Sequence, residues 1–175
     1  MMEIAGFIDA RRTATMTRAT LSKLDANDRV KLVAFDLNAT PLTQGFAAPG
    51  SAEMAAAINA LNQRTPLGSC DLEKALDTAA KGFAADSKAA RAIVYIGDGS
   101  SRANVLPVEQ LDRVVDDLVA QRAPVIAFGV GPRIDEQMLG VLASRTGGTN
   151  TRTLKPVQPC LRRIVNSSLT TPFSW

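Results

Sequence analysis

Apolar positions along this chain switch repeatedly between a helical period and a strand period. Residues 5–25, AGFIDARRTATMTRATLSKLD, read as a helix whose threonines weaken it. RVKLVAFD (29–36) is a continuous apolar run with β-branched residues, which predicts a buried strand. ATPLTQGF (39–46) alternates and carries Pro41, which predicts an edge strand because proline has no N–H to give a ladder. Ser51 is placed to cap a helix over AEMAAAINALNQ. Asp71 is placed to cap the next, where Leu72, Ala75, Leu76, Ala79, Ala80 and Phe83 form one apolar stripe. AIVYIG (92–97) is the next strand. Pro107 opens a helix expected to bury Val108, Leu111, Val115, Leu118 and Val119. PVIAFGVG (124–131) is a strand ending in Gly129 and Gly131, which let the chain turn. DEQMLGVLASRTGG is a helix stopped by Gly147 and Gly148. TNTRTL is expected as an edge strand. PVQPCLRRIVNSSL is expected as an amphipathic helix with Leu161, Ile164 and Val165 inward and Arg162 and Arg163 solvated. TTPFSW is a tail.

Strands alternating with helices predict an α/β fold: a Rossmann-like, doubly wound, mostly parallel sheet with helices on both faces and one antiparallel edge strand. The 175 residues suit a single domain spanning 1–175. Aromatics are only 5% and alanine is abundant, so the core is expected to be built from small aliphatic side chains. The net charge of +3 is mild and its cations are scattered, which argues against nucleic acid as a partner. No apolar run reaches the roughly 20 residues of a membrane span. MMEIAGFIDARR lacks the order of a signal peptide, so the default expectation is cytoplasmic.

Open α/β sheets place ligands at the carboxyl ends of their strands, here Asp36, Asp98 and the loop after Val130. Asp98 stands out because the strand stops at Gly97-Asp98-Gly99 and is followed by Ser100, Ser101 and Arg102. Its bland role is a strand-to-loop turn, closed through its own backbone amides. The chain has no histidine, so Ser-His-Asp and Cys-His triads cannot be built. Cys70 and Cys160 do not form a disulfide framework, and Cys70 reads as a small buried residue.

Two known families share features with this sequence. FDLNAT and GDGSS are similar to the nucleophile and magnesium motifs of haloacid dehalogenase-like phosphatases. That resemblance implies an Asp36 nucleophile, a metal at Asp98, and Lys81 or Lys88 on the phosphate. Against it, Asn38 stands where the general acid belongs and Arg102 where the last metal carboxylate belongs.

The broader resemblance runs from about residue 8 to about residue 150. LDANDRVKLVAFD, PLGSCDLEKALDTAAKGF, ARAIVYIGDGSS, APVIAFGVGP and MLGVLASRTGG follow one another as in a von Willebrand factor A domain. That family implies a sheet in the order 3-2-1-4-5-6 with ATPLTQGF at its antiparallel edge. It also implies a non-enzymatic module that binds a protein partner. Residues 151–175 then form a C-terminal strand, helix and tail.

Such domains hold Mg²⁺ or Mn²⁺ through an Asp-x-Ser-x-Ser, a Thr and an Asp, leaving a position for a partner's carboxylate. Here Asp98 matches the last Asp, and Cys70 takes the Thr position with Ser69 before it. The Asp-x-Ser-x-Ser and the strand before it have no counterpart. The metal site is therefore expected to be incomplete, with no cofactor in the chain as it stands and Mg²⁺ or Mn²⁺ only were the site completed. Ser100, Ser101 and Arg102 are the candidate partner contacts. The chain is expected to be a fragment of a larger protein, whose parent could be exported or membrane-associated. The missing central strand leaves three solutions: MEIAGF fills it, a partner chain fills it, or the flanking strands pair directly. Self-association through exposed strand edges is expected.

Overall fold

The computed structural model describes residues 10–36, 38–64, 71–83, 89–101 and 106–152. In chain order these give α1 (Ala10–Leu21), β1 (Val33–Phe35), β2 (Ala39–Pro41), α2 (Ala52–Gln63), α3 (Leu72–Lys81), β3 (Ile93–Gly97), α4 (Val108–Ala120), β4 (Val125–Gly129), α5 (Glu136–Arg145) and β5 (Thr149–Arg152). The α/β class is as the sequence predicts. The final helix and tail expected over 156–175 lie outside the described residues, as do Cys160, Arg162 and Arg163.

Local chemistry sets the helix starts. Ser51 Oγ accepts from the Met54 amide at 3.2 Å, and Asp71 Oδ1 accepts from the Lys74 amide at 3.1 Å. Each supplies an acceptor that the first turn of a helix otherwise lacks. At the far end of α5, Gly148 lets the chain pass so close to β4 that an added Cβ would lie 2.0 Å from the Val125 carbonyl oxygen.

β3, β4 and β5 form a parallel sheet, with Tyr95 opposite Ala127 and Phe128 opposite Thr151. β1 and β2 form a separate antiparallel pair, with Ala34 opposite Thr40. β2 thus has the antiparallel edge character that Pro41 and its alternation predict. Strand pairing over 29–46 is shorter than the apolar run suggests: beyond the pair, only Val30 and Ala47 bridge among the described residues. Among the described residues no ladder joins β1 to β3.

The two sheets nevertheless share both cores. Leu32 and Ala34 pack with Val94, Ile96, Ile126 and Phe128 under α1 and α2. The alternate residues, Val33 and Phe35, pack with Ile93, Tyr95, Val125 and Ala127 under α3, α4 and α5. This period of two places β1 and β3 in one layer with helices on both faces.

One residue departs from its predicted place. Val108 is 68% exposed, whereas Leu111, Val114, Val115 and Leu118 are buried. Pro107 and Glu109 are exposed as well, so the first turn of α4 overhangs the sheet and has nothing to pack against.

Candidate functional site

The carboxyl ends of β1 and β3 come together through the start of α3. The Asp71 amide donates to the Asp36 carbonyl at 3.2 Å, and the next amide, Leu72, donates to Ser101 Oγ at 3.2 Å. Two successive N–H groups at a helix start thus tie the end of one strand to the loop after the other. It follows that β1 and β3 point the same way. Asp36, Asp71, Asp98 and Ser101 all belong to one end of the molecule.

Asp98 leaves β3 half-buried. Its Oδ1 accepts from the Ser100 amide at 2.9 Å, and its carbonyl accepts from the Asp135 amide at 2.7 Å. The first bond is a local Asx turn and the second joins the loop to the start of α5. Gly99 sits at φ 75° over Leu139. Its amide donates to Tyr95 Oη at 3.2 Å, so a phenol buried beneath the loop fixes the peptide beside Asp98. Tyr95 can fold back in this way because residue 97 is glycine, whose Cβ would lie 2.7 Å from that hydroxyl.

Electrostatics separates the three aspartates. Asp36 Oδ2 pairs with Arg64 at 2.8 Å, while its Oδ1 accepts from the Asn38 amide at 3.0 Å, which closes the turn after β1. Asp71 caps α3 and lies 3.3 Å from Lys74 Nζ. Asp98, alone of these three, is in no ion pair among the described residues. Beside it an open depression of about 530 Å³ is lined by Ser100, Arg133, Ile134, Asp135, Glu136 and Gln137.

The structure therefore brings Asp98, Ser100 and Ser101 together at one face. Ser69, Cys70 and Arg102, the other residues singled out from sequence, lie outside the described residues. Sequence reasoning missed Arg64 as the partner of Asp36, 28 residues away. It also missed Tyr95 as the brace of the loop, for which the Tyr-x-Gly-x-Gly spacing is the only local signal.

The von Willebrand factor type A domain model matches residues 14–151. The chain belongs to that family. Solved structures share its fold at low identity. An aerotolerance-related membrane protein from Bacteroides fragilis superposes with a TM-score of 0.75 at 17% identity, over 95% of this chain and 98% of that one. A von Willebrand factor type A protein from Catenulispora acidiphila gives 0.74 at 14%, over 95% of this chain but only 41% of its own. Manganese-loaded TRAP protein from Plasmodium vivax gives 0.64 at 15%, over 82% and 63%. No curated protein matches the sequence.

A type A domain implies a divalent cation at this end of the sheet. The described donors at this face are one carboxylate, Asp98, and the hydroxyls of Ser100 and Ser101. Asp98 already holds the Ser100 amide, and Ser101 Oγ already accepts from Leu72. Among the described residues no group of three or more His, Cys, Asp or Glu side chains is arranged to hold a metal. This set falls short of the oxygen-rich octahedron that Mg²⁺ or Mn²⁺ requires.

Proposed function

We propose that this type A domain is a non-enzymatic protein-interaction module whose metal site is incomplete, and that it binds its partner at the face carrying Asp98, Ser100 and Ser101. The observation that supports this reading is the pair of adjacent amides, Asp71 and Leu72, spanning from β1 to the β3 loop. They make a preorganised rim beside Asp98, a carboxylate that is in no ion pair among the described residues. Arg133 and Glu136 beside it supply charges of both signs for a polar contact. A solved structure with this fold, from Bacteroides fragilis, is an aerotolerance-related membrane protein, which supports placing the partner at or near a membrane. No helix among the described residues is long and apolar enough to cross a membrane.

Thermal unfolding in EDTA against several millimolar Mg²⁺ or Mn²⁺ tests the metal half of this reading. A cation at 100 times its Kd would stabilise the native state by about 2.7 kcal/mol, readily seen as a midpoint shift. The expected result is no shift. A shift that disappears in Asp98→Ala overturns the incomplete site. The non-enzymatic half is tested with p-nitrophenyl phosphate and Mg²⁺, where turnover lost in Asp36→Asn would establish the phosphatase chemistry instead. With Asp36 held by Arg64 and the Asn38 amide, no turnover is expected.

A further inference from the structure

Cations that are scattered along the sequence meet in space at the end of the molecule opposite Asp98. Lys31, Arg91 and Arg122 stand just before β1, β3 and β4. Those strands run the same way, so all three side chains belong to the end where the strands begin. A series of contacts joins them. Lys31 Nζ lies 3.5 Å from the place a Cβ on Gly82 would take, where α3 ends. The next residue, Phe83, stacks on Phe46 with ring centroids 6.2 Å apart. The Arg91 guanidinium covers Phe83, 5.5 Å from its centroid. Arg91 Nη1 donates to the Gln121 carbonyl at 3.4 Å, and Arg122 follows Gln121. The result is one strip in which Lys31, Phe46, Phe83 and Arg91 are half-buried and Arg122 is exposed.

We propose that this strip is an interaction surface, separate from the Asp98 face, that receives an acidic segment of a protein partner. Charge complementarity carries the choice. Among the described residues no carboxylate pairs with Lys31 or Arg122, and neither side chain makes a hydrogen bond. The carboxylates on nearby turns do not reach them: Asp77 is taken by Lys81 at 2.7 Å, and Asp117 is exposed on α4. The ends of α3 and α4 favour a cation and account in part for the gathering. They do not account for the backbone of Arg122. It sits at φ 53°, where glycine or asparagine is cheaper, and a cation on an adjoining residue would feel the same helix end without that strain. Like charges set side by side repel, and an anionic partner relieves that repulsion. The aromatic pair supplies an apolar floor between the cations, and arginine and phenylalanine together are typical of protein interfaces. Nucleic acid fits less well. Phe83 is already stacked by Phe46 and covered by Arg91, so it offers no free ring for a base.

Fluorescence anisotropy of a fluorescein-labelled octaglutamate peptide, titrated with the 175-residue chain at about 50 mM salt, tests this. Saturable binding is expected, weakening as salt is raised. Arg122→Gly removes a cation and relieves the backbone, so it should bind about fivefold more weakly with no lower urea midpoint. Lys31→Met keeps the apolar stem and should weaken binding by about fivefold too, and the two together by about 25-fold. Asp98→Ala should bind the peptide as wild type does, which separates this surface from the face proposed above. The proposal is overturned if octaglutamate does not bind, or if Arg122→Gly and Lys31→Met bind it unchanged. Binding lost in Asp98→Ala also overturns it. An oligothymidylate of equal charge that binds more tightly overturns it in favour of nucleic acid, and full displacement by equimolar inorganic phosphate overturns it in favour of a simple anion site. Should Lys31→Met fail to fold, Arg122→Gly decides alone.

Discussion

Gly99→Ala strikes the loop that presents Asp98, and its effect can be worked from the structure. Gly99 sits at φ 75°, a region that costs an L-residue about 1–2 kcal/mol. The added methyl would lie 2.8 Å from Leu139 Cγ and 3.0 Å from the Asp135 carbonyl oxygen. Carbon atoms pack best at about 3.5–4.0 Å, so Leu139 would have to retreat by most of an ångström. Leu139 is fully buried, and overpacking of a filled core costs about 1–3 kcal/mol. Against these stands the lower entropy of the unfolded alanine chain, about 0.4–1 kcal/mol in the opposite sense. The net expectation is a loss of about 2–4 kcal/mol. Urea unfolding followed by circular dichroism reads this as a lower midpoint at unchanged slope. Gly45→Ala is the control, since Gly45 has open space around it and no positive φ. A loss below about 1 kcal/mol in Gly99→Ala, or one no larger than that of Gly45→Ala, would refute the reasoning.

Three further substitutions probe the same end of the molecule. Tyr95→Phe leaves the buried Gly99 amide without its acceptor and should cost about 1–3 kcal/mol in urea unfolding, with the Gly99 amide exchanging faster than those of β4. Asp71→Ala removes the cap of α3 and should cost about 0.5–2 kcal/mol, whereas Asp71→Asn keeps an acceptor and should recover most of it in a thermal melt. Arg64→Ala opens a partly buried but solvent-reachable ion pair with Asp36, so the loss should stay near about 1 kcal/mol and shrink as salt is raised.

What the sequence reveals depends on how far the determining contact reaches. Ser51 and Asp71 announce their helices because a cap acts within three residues. The strands at 93–97 and 125–129 announce themselves because both faces are buried, which demands an unbroken apolar run. Pro41 marks the edge because it lacks a donor. Val108 was misplaced because helical period cannot say where a helix leaves its sheet. The Asp36–Arg64 pair was invisible because its partners meet only once α2 is laid down between them. Asp98 is found by its glycines, but that Arg64 and Lys74 answer the other two carboxylates and not this one could be learned only once the chain is folded. Among the described residues the strands fall into two sheets. That the two sheets still share both cores could be learned only from the packing.

Pro41 has one more consequence. The odd-numbered residues of β2 face away from β1, so the missing proline N–H falls on the outer rim of the sheet, where Pro41 is exposed. At the opposite rim, among the described residues, stands β5, Thr-Asn-Thr-Arg, polar and carrying a cation at Arg152. Lateral recruitment of one molecule by another, the first step toward fibrillar aggregates, therefore meets a missing donor on one side and a short, charged strand on the other. At high concentration this fold should stay dispersed along these two rims.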